Sequence, residues 1–172
     1  PDVQLDVLRS LDRMVEDGGA LPRWPMAHGP TGGMVGTPAA QVLAESWLKG
    51  MTDGWDADGL WEAAVATSTG PVPYAGRTGI EAYRELGFVP EEQGGGSASE
   101  TLEYAWSDHA LQEWGTAMGV DTTRIDEQAG AWKNAWDPQA SFFRARSEDG
   151  SFAPMGSEFQ WSSDYVEGNA WH

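Results

Sequence analysis

The sequence predicts an all-α fold made of helix hairpins joined by alternately short and long connections. Three observations carry this. Apolar residues recur at helical spacing in one stretch after another. Glycine- and proline-rich intervals, above all residues 18–37, separate those stretches. Strand-like patterning is confined to a small β-hairpin near residues 141–153. Such an arrangement suits an α-solenoid or an α/α toroid. In a toroid the long loops gather at one mouth, where a site would sit.

Taken in order, residues 3–16 read as an amphipathic helix with Leu8, Leu11 and Val15 on one face, stopped by Gly18-Gly19. Residues 18–37 hold three prolines and six glycines, so they are expected to be irregular. Leu21, Trp24, Met26, Met34 and Val35 argue that this loop is ordered and belongs to a site. His28 in its middle is read as solvated or structural. A second helix spans residues 39–51, with Leu43, Trp47 and Met51 on one face, Pro38 at its start and Gly50 at its exit. Asp56 caps a third helix that points Leu60, Trp61, Ala64 and Val65 inward. Residues 67–76 form a turn segment.

Thr78-Gly79-Ile80-Glu81 matches a capping box and opens a short helix that ends at Gly87. Residues 88–99 form a loop centred on Gly94-Gly95-Gly96. Ser97-Ala98-Ser99-Glu100 is a second capping box before the longest helix, about residues 100–118. Its expected apolar surface includes Leu102, Ala105, Trp106 and Trp114. Glu100 and Glu103 share a face and form a candidate carboxylate pair, although capping and the helix dipole account for them better. Thr122 or Thr123 starts the next helix, with Ile125, Ala129, Trp132 and Trp136 expected inward and Asp137-Pro138 at its end. Around Glu148-Asp149-Gly150 the pattern becomes that of a hairpin turn.

Composition narrows the function. The 172 residues fit one domain with a real core. Twenty-seven acidic against 10 basic residues give a formal charge of −17. Nucleic acid and anionic membrane are therefore poor partners, since phosphate-neutralising charge is lacking. A divalent cation or a neutral polar ligand suits this field better. Without cysteine there are no disulfides and no thiolate metal sites. No apolar run is long enough to span a bilayer. The chain opens on Pro1, which points to processing or to a piece of something longer. Ten tryptophans are heavy use and suit sugar-binding surfaces as well as helix-pair cores.

The stretch Asp164-Tyr165-Val166-Glu167-Gly168-Asn169-Ala170-Trp171 holds the equipment of a sugar site. A carboxylic acid can protonate a glycosidic oxygen. An indole can stack on a pyranose, and Asn or Tyr can bond its hydroxyls. The same composition also makes an ordinary turn or helix start.

Five blocks in order tip that balance. They are Gly19-Ala20-Leu21-Pro22-Arg23-Trp24-Pro25 with Met34-Val35-Gly36 and Trp47-Leu48-Lys49-Gly50; Gly76-Arg77 with Tyr83-Arg84-Glu85-Leu86-Gly87-Phe88-Val89-Pro90; Ser99-Glu100-Thr101-Leu102-Glu103-Tyr104-Ala105; Phe142-Phe143-Arg144 with Asp149-Gly150; and Glu167-Gly168-Asn169-Ala170-Trp171. Over nearly the whole chain this series resembles the calcium-dependent exo-acting α-mannosidases of glycoside hydrolase family ninety-two.

The resemblance implies part of an (α/α)6 toroid over residues 1–172, with an N-terminal β-sandwich and the C-terminal part of the toroid absent from this chain. It implies removal of terminal α-mannose from glycans such as N-glycans, with inversion. Glu167 aligns with the general acid, expected to be buried among other acids and so held protonated. Trp24 aligns with a mannose contact, as do Arg23 and Asn169. Calcium is the implied cofactor, with its ligands and the catalytic base outside this chain. The implied partners are a mannose-containing glycan and the remaining segments of the same enzyme, and the implied location is secreted or periplasmic. His172 stands where the family usually has Gln. Inversion needs two carboxylates about 6.5–9.5 Å apart with water between them, so no turnover is expected of this chain alone. The alternative is a non-catalytic acidic α/α scaffold that binds glycans or partner proteins.

Overall fold

The computed structural model describes residues 2–26, 29–93 and 95–171, so His28 and His172 lie outside the described residues. The chain is mostly helical. α1 spans Asp2–Gly18, α2 Pro38–Leu48, α3 Ala57–Thr69, α4 Ile80–Leu86, α5 Ser97–Met118, α6 Thr123–Ala129 and α7 Trp132–Ala135. Two short antiparallel ladders complete it. β1 (Pro25–Met26) pairs with β2 (Gly29–Pro30), and β3 (Trp136–Asp137) pairs with β4 (Phe142–Phe143).

α5 is the axis of the molecule and touches α2, α3, α6 and α7. Its buried residues include Glu100, Thr101, Tyr104, Asp108, Leu111 and Trp114, which wrap around the helix instead of forming one stripe. That is the pattern of a helix enclosed by others. The main core joins Leu8 of α1, Leu43 of α2, Leu60 and Trp61 of α3, Leu111 and Trp114 of α5, and Ile125 of α6. Trp47, Trp55, Trp114 and Trp61 run through it ring to ring, with centroids 6.3, 5.8 and 5.5 Å apart. Gly115 makes this possible: a Cβ there would sit 2.4 Å from Trp61 Cη2.

A polar knot lies deeper. Arg77 and Asp108 are fully buried, with Nη1 to Oδ2 and Nη2 to Oδ1 each at 2.8 Å. Nη2 also reaches Thr37 Oγ1 at 3.0 Å, and Gln128 Nε2 donates to Asp108 Oδ2 at 3.1 Å and to Ser68 O at 3.0 Å. The Arg77 guanidinium lies 4.8 Å from the Tyr104 ring centre. Burial and the neighbouring Asp108 charge push the Tyr83 phenol well above its ordinary range, so it stays a hydrogen-bonding hydroxyl.

Several sequence expectations are corrected. α2 stops at Leu48, and α3 runs on to Thr69 through the start of the expected turn segment. Neither capping box caps a helix with its side chain. Gly79 (φ 61°) and Gly96 (φ 100°) are the N-caps of α4 and α5, and Ser97 already belongs to α5. A left-handed glycine turns the chain more sharply than a capping serine would. Trp106, Trp132 and Trp136 are exposed rather than inward; the last two flank Phe143 edge-on. The loop 18–37 is not wholly irregular, since it contains the β1–β2 ladder. The turn at Glu148-Asp149-Gly150 forms, with Ser147 N bonded to Ser151 O at 2.9 Å, but only a single bridge, Arg146 to Phe152, closes it. The two-residue ladder of this region is β3–β4.

Candidate active site

The two loops singled out by sequence meet the same end of α5. From one side comes the loop of Arg23 and Trp24. Arg23 is buried, and its guanidinium bonds three backbone oxygens: Gly33 O at 3.1 Å, Gly32 O at 2.6 Å and Gly76 O at 3.2 Å. Arg23 thus staples its own loop against residue 76. Three of its five N–H groups are used this way among the described residues. Trp24 is 49% exposed and adopts a left-handed φ of 76°. Its carbonyl accepts hydrogen bonds from Thr31 N at 3.3 Å and Thr31 Oγ1 at 2.9 Å. Its ring faces an apolar groove of about 440 Å³ with Val7, Met14, Pro22 and Pro38.

From the other side comes the segment that holds Glu167. Ala98 N donates to Asp164 O at 3.1 Å, and Val166 N donates to Ser99 Oγ at 3.0 Å. The first turn of α5 therefore gives up two groups to dock this segment. Gly96 admits it: a Cβ there would lie 2.6 Å from Val166 Cγ2. Tyr165 anchors the far side, its hydroxyl donating to Phe143 O at 2.7 Å. The sequence signal for this docking is the small residues Gly96, Ala98 and Ser99 at a helix start, where the spacing of Ser97 and Glu100 suggests a capping box and Gly96 a loop.

Glu167 projects from this anchored backbone at φ 55°, in the left-handed region, and its side chain is exposed. The expected burial is not met by the described residues. Asn169 folds over the same loop: Nδ2 donates to Phe159 O at 3.1 Å and Oδ1 accepts from Trp171 N at 2.9 Å. The structure thus groups Glu167 with Asn169, and Arg23 with Trp24.

Between the two groups stand the acids of α5. Glu100 is 4% exposed, and its Oε2 has no hydrogen-bond partner among the described residues. Burial pushes its carboxyl up to about 7, against the opposing pull of a Thr78 hydrogen bond and the Arg23 charge. Glu103 is raised too, by burial, and packs against Gly36. Glu100 does not cap α5, because Gly96 holds the N-cap, and it is burial that raises both carboxyls. Among the described residues no group of three or more His, Asp or Glu side chains could hold a metal ion. Among them, too, no helix is long and apolar enough to cross a membrane.

A helical scaffold that displays a carboxylate and an exposed indole on separate long loops offers groups able to meet a sugar. The chain belongs to the glycosyl hydrolase family 92 catalytic domain, whose profile matches residues 1–172. Among solved structures it superimposes on a family GH92 inverting mannosidase of Bacteroides thetaiotaomicron VPI-5482 with a TM-score of 0.92 and 25% identity, over 100% of this chain and 24% of that one. It is also similar in fold to a family GH92 α-mannosidase of Bacteroides thetaiotaomicron solved in complex with mannoimidazole, with a TM-score of 0.88 and 24% identity over 98% of this chain and 23% of that one. An uncharacterized secreted glycosidase of Arthroderma benhamiae is 26% identical over 140 residues, 73% of this chain and 18% of that protein. The chain thus spans about a quarter or less of the length of these relatives.

Proposed function

We propose that this chain is the acid-bearing part of an exo-acting α-mannosidase, which removes terminal α-linked mannose from glycans with inversion of configuration. The observation that carries this is the family match over residues 1–172 combined with a backbone that holds Glu167 on a docked loop at one end of α5. In this reading Glu167 gives its proton to the glycosidic oxygen as the bond to mannose breaks. A carboxylate from polypeptide beyond this chain takes a proton from the water that attacks the opposite face of the sugar. That polypeptide also supplies the burial Glu167 lacks here. Trp24 offers its exposed indole to the apolar face of mannose, and Arg23 keeps that loop in place.

Calcium is proposed as the cofactor of the whole enzyme. Its ligands are proposed to come from polypeptide beyond this chain, and no step is routed through it here. An N-terminal sandwich and the rest of the toroid complete the enzyme, which acts outside the cytoplasm, secreted or periplasmic. The name of the Arthroderma relative supports that location. Proton NMR of the first product anomer from an α-mannoside tests the central claim. Release of β-mannose supports it; α-mannose as the first product, or no hydrolysis by the complete enzyme, overturns it.

A further inference from the structure

Glu100 is a buried acid that the proposed chemistry leaves unused. It is 4% exposed, and polypeptide added around this chain can only deepen that burial. Its Oε2 has no hydrogen-bond partner among the described residues. A neutral carboxyl tolerates such a place, whereas an anion there needs a donor. Burial accordingly holds its pKa up at about 7, against the Thr78 side chain and the Arg23 charge, which favour the ionised form.

Arg23 is thus drawn two ways. Its guanidinium donates to Gly33 O at 3.1 Å, Gly32 O at 2.6 Å and Gly76 O at 3.2 Å. Gly33 is the floor under the Trp24 ring: a Cβ added there would lie 3.4 Å from Trp24 Cε3. Thr31, which donates to the Trp24 carbonyl, also accepts from Gly33 N at 3.1 Å. One guanidinium therefore holds the backbone on which the Trp24 indole rests.

Other charged and titratable groups surround this junction. Arg77, next to Gly76, is occupied by Asp108 of α5. Burial and the Glu100 charge keep the Tyr104 phenol neutral, and it donates to Thr78 O at 3.3 Å. Glu103, one turn further along α5, is raised by burial and packs against Gly36. Asp164 and Glu167 lie on the segment docked at the first turn of α5. Arg23 is the cation that acts on Glu100.

We propose that Glu100 is a positioning residue that sets the place of the Trp24 indole through Arg23. Its effect on substrate rests on the mannosidase reading; the link from Glu100 to Trp24 does not. With the carboxyl protonated, Arg23 stays with the Gly32 and Gly33 carbonyls and the indole is held for the sugar. Once the proton leaves, the anion draws the guanidinium toward itself. The backbone at residues 32–33 loosens, and Trp24 loses its fixed place. Substrate contact is therefore tightest on the acid side of neutrality.

Two measurements on the complete enzyme test this. The first is fluorine NMR after labelling with 5-fluorotryptophan, with the Trp24 signal assigned by Trp24→Phe. That signal is expected to shift with pH, with a midpoint at about 7. The titration should vanish in Glu100→Gln, which keeps the shape and removes the proton. It should persist in Glu103→Gln and in His28→Asn, the latter made because histidine ordinarily titrates in the same range. The second is KM for an α-mannoside. In the parent it should rise about threefold as pH increases through neutrality, the size of one weakened ring contact; in Glu100→Gln it should stay level, while kcat follows pH alike in both. A Trp24 signal that does not titrate in the parent, still titrates in Glu100→Gln, or stops titrating in Glu103→Gln or His28→Asn overturns the proposal. A level KM in the parent overturns its effect on substrate. If the parent hydrolyses no α-mannoside, the mannosidase reading fails, and the fluorine titration still decides whether Glu100 positions Trp24.

Discussion

Val166 N donates its hydrogen bond to Ser99 Oγ across 3.0 Å, one residue before Glu167. A helix start thus sets the position of the candidate acid. Ser99→Ala removes the acceptor and leaves Val166 N without its partner, a cost of about 1–2 kcal/mol. The expected outcome is a loss of about tenfold in kcat of the complete enzyme, with KM changed less. A kcat equal to that of the parent would show that Ser99 does not position the acid.

Glu167→Gln keeps the shape and removes the proton. General acid catalysis contributes about 10²–10⁴-fold, and a loss of that size is expected in kcat on mannobiose. The loss should be smallest on substrates whose leaving group needs no protonation, such as an activated aryl mannoside. Steady-state kinetics on both substrates checks it. A uniform loss would argue for a damaged pocket instead.

The buried Arg77–Asp108 pair predicts a large stability effect. Removing one partner leaves a charge buried without its counterion, which costs about 3–5 kcal/mol. Arg77→Met should therefore lower the midpoint of urea unfolding sharply. The double change Arg77→Met with Asp108→Leu should recover a good part of the loss, because neither charge is then stranded. If the double variant is as unstable as the two single ones summed, the pair is not the source of the effect.

Glu100 gives the protein a pH dependence with a defined sign. Its folded-state pKa is raised from 4.5 to about 7. The stability it contributes is fully present below about pH 4.5 and is lost as pH rises through about 7. Burial of the ionised form is what opposes folding at the alkaline end. Glu100→Gln should be more stable than the parent at pH 8 by up to about 3 kcal/mol, from the size of the shift, and the gain should shrink toward pH 4.5. Thermal melts across that window measure it; a gain independent of pH would exclude titration of this carboxyl.

Calcium removal tests the cofactor. Chelation of the complete enzyme should abolish α-mannoside hydrolysis, and added calcium should restore it. Full activity in chelator would remove calcium from the proposal.

Much of the helical framework was legible because buried helices leave periodic traces. Leu8, Leu43, Leu60, Trp61 and Trp114 were all expected inward and all line the main core. Other features depend on partners distant in sequence, and no local pattern encodes those. Trp106 fits the apolar face of α5 by spacing, yet it is exposed among the described residues. Ser97 and Glu100 fit a capping box, but glycine at 96 takes the cap so that Val166 can approach. The Arg77–Asp108 pair joins residues 31 apart and carries no sequence signature beyond its two charges. At the candidate site, the loops and Glu167 could be named from residue chemistry and family resemblance. The docking of the Glu167 segment on the first turn of α5 required coordinates.

The left-handed backbone of Glu167 has an evolutionary consequence. A residue with a Cβ costs about 1–2 kcal/mol in that conformation, whereas glycine adopts it freely. Selection for heat tolerance alone would therefore favour glycine at this position, yielding a sturdier protein with no proton to give. Under the proposed reading, the glutamate at this strained position trades durability for a proton donor, a strain this chain also accepts at Trp24, Met34, Tyr74 and Ser141.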